Sequence, residues 1–492
     1  MYQSTRSSYS VTDTAAVLKG ISPDGGLFVD AGLAARPFDA AGCMGLDYMQ
    51  MAEKIMSHLL PGFAADMKTI VSVYPKKFSS AAITPLTKVG DAWALELYHG
   101  PTSAFKDVAL SVLPLFTTAA RRMEGVSERI SILTATSGDT GKAALEGFHD
   151  VEGTEITVFF PHGGVSAMQK AQMVTQEGNN VRVCAVRGNF DDCQRGVKEA
   201  FAAFNSLSAA GEAAAKGRIF SSANSINIGR LVPQVVYYYA AYAQLLSAGE
   251  ITWGEKVDFI VPTGNFGDIL AGYLAKMTGL PVGRLVCAAN SNNVLADFIS
   301  TGVYDKRRSF IKTVSPSMDI LVSSNLERLL FYASGCDCAL VSSLMEQLKN
   351  EGCYTLTGAA FEQIRSAFST AWCSEEETVA TIGRLWGDCR WLSDTHTAVG
   401  FAVLEKYRHS KDYEGHKCVV LSTASPFKFP CTVLSALGLP AEADDFAAAE
   451  ALSRATGIAE PANLAGLKEK REIHTDVIDA SDLVSYALKE NW

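Results

Sequence analysis

Short apolar runs without a polar face recur through the middle of the chain. RISILTA (129–135), EITVFFP (155–161), VRVCAV (181–186), RIFSS (218–222), VDFIVP (257–262), RLVCAAN (284–290) and KCVVLS (417–422) predict strands covered on both faces. Between them lie helical stretches: GKAALEGF (141–148), SAMQKAQMV (166–174), FDDCQRGVKEAFAAF (190–204), GRLVPQVVYYYAAYAQLL (229–246) and ILAGYLAKM (269–277). Strands that alternate with helices imply parallel sheets with right-handed crossovers, an α/β fold. The first 85 residues are less regular and predict a separate N-terminal layer. Residues 300–395 predict a mostly helical segment, with a capping box at Ser374 and Glu377. DTHTAVGFAV (394–403) predicts an amphipathic helix with His396 at its start, a structural cap rather than a catalyst. The expected division is an N-terminal domain (1–90), a smaller α/β domain (91–240) and a larger α/β domain with a helical insertion (241–492).

One charge breaks this pattern. HGPTSAFKD (99–107) places Lys106 directly before VALSVLPLF (108–116), which has almost no polar face. Phe105, Val108, Ala109 and Val112 form one apolar stripe, and Leu110 and Leu113 continue the side that carries Lys106. Burial lowers a lysine's affinity for its proton. Pro101-Thr102-Ser103 predicts a helix start, whose dipole acts in the same direction. Both favour a neutral amine, which forms Schiff bases with carbonyl compounds.

Ligands in open α/β sheets bind at the loops behind the strands' carboxyl ends. In VPTGNFGD (261–268) two glycines three apart precede a helix start, which admits an anion cradle or a tight turn without a ligand. TATSGDTGKAA (134–144) crowds Thr136, Ser137, Asp139 and Thr140 at a helix start, where some cap and the rest suit a small carboxylate. SSANSINIGRLVPQ (221–234) brings Asn224, Ser225 and Arg230 together; the arginine suits phosphate or carboxylate, or ties down a carbonyl. A strand end at Ser422 and Thr423 offers hydroxyls. Neither nucleotide fingerprint fits: G-x-G-x-x-G is missing, and Thr136 stands where a P-loop needs glycine. A Schiff-base lysine, a phosphate cradle and a hydroxyl at a late strand end together describe a pyridoxal phosphate site.

Composition narrows the setting. The chain has 492 residues, 48% apolar and 20% charged, with a net charge of −10. It lacks the basic cluster that nucleic acid or an anionic membrane would select. No run of about 18 apolar residues is long enough to span a bilayer, and the N-terminus lacks a signal-peptide core. The eleven cysteines are scattered; reduced thiols in a cytoplasmic protein are the expectation, and no metal site is expected.

Six motifs then occur in order: SPDGGLFV (22–29), HGPTSAFKD, TATSGDTG, SANSINIGRL, VPTGNFGD and STASPFKF (422–429). The chain resembles the threonine synthase family, of the longer bacterial and fungal kind, in the fold-type II class of pyridoxal phosphate enzymes. That resemblance implies a tryptophan synthase β-like fold of two open, mostly parallel sheets. It implies that Lys106 holds pyridoxal 5'-phosphate as a Schiff base, beside Phe105. Gly264, Asn265, Phe266, Gly267 and Asp268 would bind the cofactor phosphate, and Thr423 the pyridine nitrogen. Thr136, Ser137, Asp139 and Thr140 would take the substrate carboxylate. Asn224, Ser225 and Arg230 would lie near the rest of the substrate. The implied reaction converts O-phospho-L-homoserine and water to L-threonine and phosphate, in a monomer or small homo-oligomer. The alternatives on the same scaffold are a phospho-lyase that releases 2-oxobutyrate, or another fold-type II pyridoxal phosphate lyase. Where the family often reads Thr-Ala-His, this chain has Ser425, and Thr395 stands where proline is expected.

Overall fold

A computed structural model describes residues 1–136, 138–209 and 217–489. The strands of its two main sheets are β1 (Leu86–Val89), β2 (Ala92–Glu96), β3 (Arg129–Ala135), β4 (Thr154–Pro161), β5 (Val181–Arg187) and β6 (Arg218–Ser221). They continue with β7 (Val257–Pro262), β8 (Val282–Ala289), β9 (Phe368–Trp372), β10 (Lys417–Ser422) and β11 (Asp476–Asp479). The larger sheet is six-stranded, in the order β9-β8-β7-β10-β2-β1. It is parallel except for the β1–β2 hairpin. The smaller sheet is five-stranded and all parallel, in the order β11-β5-β4-β3-β6. An antiparallel three-stranded sheet of Tyr2–Ser4, Ser10–Val11 and Phe28–Val29 begins the N-terminal layer. This is the expected α/β architecture.

The sheets cut across the expected domain boundaries. Ala92–Glu96, placed by sequence in the smaller domain, pairs with Lys417–Ser422 in the larger sheet. Asp476–Asp479, near the C-terminus, extends the smaller sheet beside Val181–Arg187. Both strands join partners far away in sequence, so local periodicity carries no sign of the pairing. Phe368–Trp372, inside the segment expected to be mostly helical, is a strand parallel to β8.

Six helices matter for the site: α1 (Asp107–Leu110), α2 (Leu113–Met123), α3 (Asp139–Phe148), α4 (Ile228–Ser247), α5 (Gly267–Met277) and α6 (Thr395–Arg408). The apolar stretch after Lys106 is not one helix, because the chain restarts at α2 with Pro114 in its first turn. Proline has no N–H to continue the earlier helix, and its fixed φ suits a helix start. The helix α6 is not amphipathic: its residues from Thr395 to Leu404 are all buried. It packs on strands of the larger sheet and on the helix Glu375–Cys389, which does begin with the expected capping box.

The helix α4 is apolar nearly all round, as its position between α5 and the N-terminal helix Tyr48–Leu59 requires. Tyr237, Tyr238, Tyr239 and Tyr242 are fully buried, and each hydroxyl has a partner. The hydroxyl of Tyr238 donates to the carbonyl of Asp268 at 2.7 Å, which ties α4 to the first turn of α5. Tyr238→Phe keeps the ring and leaves that buried carbonyl with one partner fewer. A loss of about 1–2 kcal/mol in unfolding free energy is expected, measured by denaturant titration.

Candidate active site

The turn before Lys106 is fastened to the loop behind β10. The N–H of Phe105 donates to the carbonyl of Thr423 at 2.8 Å, and the N–H of Ser425 donates to Ser103 O at 3.1 Å. Ser103 adopts a left-handed φ of +58°, unusual for a residue with a side chain. The carboxylate of Asp107, buried at the start of α1, accepts from the backbone N–H of Thr102 at 2.8 Å and from its hydroxyl at 2.6 Å. Lys106 and Thr423 are therefore set by one hydrogen-bonded unit.

Lys106 is only 9% exposed, as the apolar sequence around it requires. Its Nζ lies 3.6 Å from Asp139 Oδ2, 3.5 Å from Ser317 Oγ and 5.2 Å from the centre of the Phe105 ring. Burial pushes the amine down to about 8; Asp139 opposes this, while Arg230 and Lys428 add to it. That shift brings the neutral amine, the state a nucleophile or base requires, closer to physiological pH. Asp139 itself is held well below the usual carboxylate range. Burial alone would raise it, but Lys428 and Lys106 outweigh that.

A cleft of about 590 Å³, counting the open space at its mouth, lies beside this amine. Among the predicted residues, Phe105, Lys106, Thr140, Asn224, Ser225 and Arg230 border it. So do Gly264, Asn265, Gly267, Asp268 and Thr423. Thr136, Asp139 and Phe266 stand behind the wall, and Ser137 lies outside the described residues.

The 264–268 loop has the form of an anion cradle. Ser323 Oγ donates to Gly264 O at 2.8 Å, and Asn325 donates to Asn265 O through its backbone N–H at 3.1 Å and its Nδ2 at 3.0 Å. Phe266 is held at a left-handed φ of +63° with its ring fully buried against Phe368. The helix α5 starts without a side-chain cap, so its first N–H groups and dipole face the cleft end of the loop. Burial pushes the Asp268 carboxyl up to about 7 against the hydrogen bonds that would lower it. A Cβ on Gly264 would stand 2.7 Å from the carbonyl of Ser317, a backbone atom that cannot swing away. Gly264→Ala is expected to shift the 315–319 loop into the cleft and to weaken cofactor retention by about tenfold or more, read by equilibrium dialysis.

The TSGDT loop divides its work. Thr136 Oγ1 accepts from the N–H groups of Gly138 and Gly141, both at 2.9 Å, and so shapes the turn into α3. Asp139 turns towards Lys106 and Lys428, and Thr140 faces the cleft. Behind β6, Asn227 caps α4 and Ser225 Oγ accepts from Asn325 Nδ2 at 3.0 Å. Arg230 is 4% exposed; its Nη1 donates to Ala223 O at 2.9 Å, while its Nε has no partner among the described residues. No described carboxylate lies within ion-pair distance of it, and burial pushes it down to about 10. Arg230 ties down a carbonyl, as one sequence reading had it, and still presents an unneutralised buried cation at the cleft, as the other had it.

The family model "Pyridoxal-phosphate dependent enzyme" matches residues 79–424. Models of the threonine synthase N terminus and of its C-terminal region match residues 1–72 and 397–486. Threonine synthase of Pseudomonas aeruginosa is 40% identical over 418 residues, which cover 84% of this chain and 85% of that protein. The chain belongs to the threonine synthase family. Family membership extends to the whole fold: a pyridoxal phosphate-bound threonine synthase from Brucella melitensis superposes with a TM-score of 0.85 at 36% identity, over 99% of this chain and 98% of that one. Human "Threonine synthase-like 1" is 38% identical over 86% of this chain, but the match spans only 57% of that longer protein. The family's cofactor is pyridoxal phosphate, and its shared fold is the fold-type II arrangement described above.

Ser317 and Lys428 escaped the sequence reading, and His396 was given a different role in it. Ser317 reaches it on a loop held by buried Asp319, whose carboxylate accepts from Asn290, Asn292 and Thr313; nothing local to Ser317 marks this. His396 borders the cleft and is not the cap of α6. The cap is Asp394, which accepts from the N–H of His396 at 2.8 Å. His396 Nε2 accepts the backbone N–H of Ser317 at 3.1 Å, so its ring proton sits on Nδ1, 3.0 Å from Asp394. Lys428 was legible: it lies between Phe427 and Phe429 in PFKFP, the same kind of apolar setting that marked Lys106.

Proposed function

We propose that this chain converts O-phospho-L-homoserine and water to L-threonine and phosphate, with pyridoxal phosphate as cofactor. The observation that carries the reading is the cleft's charge. A buried lysine amine and a buried arginine without a carboxylate partner face one space, with an uncapped helix start beside them. A ligand bearing two separate anionic groups, one from cofactor and one from substrate, complements that arrangement. The residues suit pyridoxal phosphate: Lys106 would anchor it, the 264–268 cradle would hold its phosphate, Phe105 would flank it, and Thr423 would face its ring nitrogen. When bound, it supplies an electron sink for negative charge at the carbon bearing the substrate's amine.

The chain's own groups would do the rest. Lys106 as a neutral amine takes the proton from that carbon and can return a proton at a neighbouring carbon. Ser317 and Asp139 hold its Nζ in place between these acts. The hydroxyl of Thr423, unlike a carboxylate, would not hold a proton on the ring nitrogen. Asn224, Ser225 and Arg230 hold the substrate phosphate, and Arg230 stabilises the charge that grows on it as it leaves. Because Asp139 is committed to two lysines, Thr140 and the amides of its loop would face the substrate carboxylate.

The same reading places the enzyme in the cytoplasm, as a monomer or small homo-oligomer acting on small molecules. All eleven cysteines are free thiols, and no described helix is long and apolar enough to cross a membrane. The test is an end-point assay of the full chain with pyridoxal phosphate and O-phospho-L-homoserine, following phosphate, threonine and 2-oxobutyrate together. Threonine equal to phosphate is expected. Phosphate with 2-oxobutyrate would replace this reading with the phospho-lyase one, and no phosphate at all would overturn it.

A further inference from the structure

Lys428 is a second buried lysine, with no exposure to water. It ends the short turn Pro426–Lys428 behind β10 of the larger sheet, whereas Asp139 begins α3 behind β3 of the smaller one. Its ammonium lies 2.7 Å from Asp139 Oδ1 and donates to Thr102 O at 3.1 Å. The same Oδ1 accepts Gln169 Nε2 at 3.0 Å. The other oxygen, Oδ2, accepts Ser317 Oγ at 3.4 Å and stands 3.6 Å from Lys106 Nζ. One carboxylate from the smaller sheet thus serves two buried ammonium groups, both on turns that follow neighbouring strands of the larger sheet.

We propose that Lys428 is a positioning residue: it anchors Asp139 through one oxygen so that the other stands beside Lys106, and it takes up charge that would otherwise fasten a proton on Lys106. The inference rests on Lys106 being the reacting amine. A buried carboxylate with a single lysine partner forms a tight pair and keeps that lysine protonated. With two partners, its hold on each is weaker. The other charged or titratable groups around the pair are Arg230, Asp268 and His396 at the cleft and Asp107 near Lys428. Arg230 works in the same direction as Lys428, and Asp268 works against it. Lys428→Met makes Lys106 the sole cationic partner of Asp139. The amine then holds its proton more tightly, both because the carboxylate is no longer shared and because a neighbouring positive charge has been removed.

The experiment is pulse acetylation of the full chain, stripped of cofactor, with acetic anhydride across the neutral to alkaline range. Only the neutral amine attacks the anhydride, with acetate leaving, and mass spectrometry reads the label at Lys106. The wild type is expected to show a midpoint at about 8. Lys428→Met is expected to move it up by about one pH unit or more, about a tenfold drop in labelling at neutral pH. Lys428→Arg keeps the charge and leaves the midpoint in place. The double variant Asp139→Asn with Lys428→Met removes both charges and brings the midpoint to the wild-type value or below. An unmoved midpoint in Lys428→Met that retains the wild-type circular dichroism and Tm would overturn the proposal. So would a double variant with its midpoint above the wild type, which keeps the test open if the single variant fails to fold. Failure of borohydride to fix the cofactor to Lys106 in the loaded wild type would instead defeat the underlying reading of the site, leaving the midpoint comparison untouched.

Discussion

Lys106→Ala lowers turnover of O-phospho-L-homoserine by about 10³-fold, whatever cofactor concentration is supplied. The size follows from what the amine does. Among the described residues it is the one lysine that borders the cleft, and burial brings it down to about 8, within reach of a working pH. In the proposed mechanism alanine removes the anchor and the proton carrier together, so added cofactor is expected to restore little. The fold is expected to survive. Asp139 keeps Lys428 at 2.7 Å and is not left as an uncompensated buried charge. The loss of a partly neutralised buried ammonium is itself no penalty to the folded state. A steady-state assay paired with a thermal melt checks both halves. Turnover falling with Tm held is the expected pair, and turnover within tenfold of wild type would remove Lys106 from the chemistry.

Arg230→Met raises KM for the phosphorylated substrate by about 10- to 100-fold, the equivalent of about 1.5–3 kcal/mol for a charge-assisted contact. It does so while leaving the ligand-free chain as stable as before, or more stable. The two effects have opposite signs for one reason. The guanidinium is buried with one carbonyl partner and no carboxylate, and burial pushes it down to about 10, so its charge strains the empty fold. A group whose proton affinity is lowered by folding withdraws stability at every pH where it stays charged, which includes the neutral range. An anion in the cleft turns that deficit into binding. Arg230→Lys keeps the charge but loses the planar fork, and is expected to recover only part of the affinity. Kinetics on the three proteins, with denaturant melts of the same samples, provide the check. A residue that merely ties down Ala223 would lower stability and leave KM alone.

The sequence made the repeating α/β framework plain because strands buried on both faces must be apolar without interruption. All seven expected strands form, from Arg129–Ala135 to Lys417–Ser422. It concealed strands whose partners are distant. Ala92–Glu96 and Asp476–Asp479 each insert into a sheet built elsewhere in the chain, and their own residues are compatible with other states. At the site, the same contrast holds. Lys106, the 264–268 loop and Arg230 break a local rule, a charge or paired glycines where apolar continuity is expected, and so they were visible. Asp139 looked like one more capping residue among hydroxyls, since its two lysines come from positions far from it and from each other in sequence. Ser317 was invisible, because the cluster that presents it is assembled by Asp319 and two asparagines in another loop. His396 was seen but misjudged as the cap, since Asp394 takes that role and the ring instead bridges Asp394 and the backbone of Ser317 at the edge of the cleft.

The central claim is that the cofactor is joined to the chain at Lys106 and nowhere else. The direct measurement is reduction of the cofactor-loaded full chain with borohydride, followed by digestion and mass spectrometry of the labelled peptide. A pyridoxyl group on Lys106 alone, in a peptide spanning HGPTSAFKD, is the predicted result. A group on Lys428 or on a surface lysine, with Lys106 unmodified, would contradict the account.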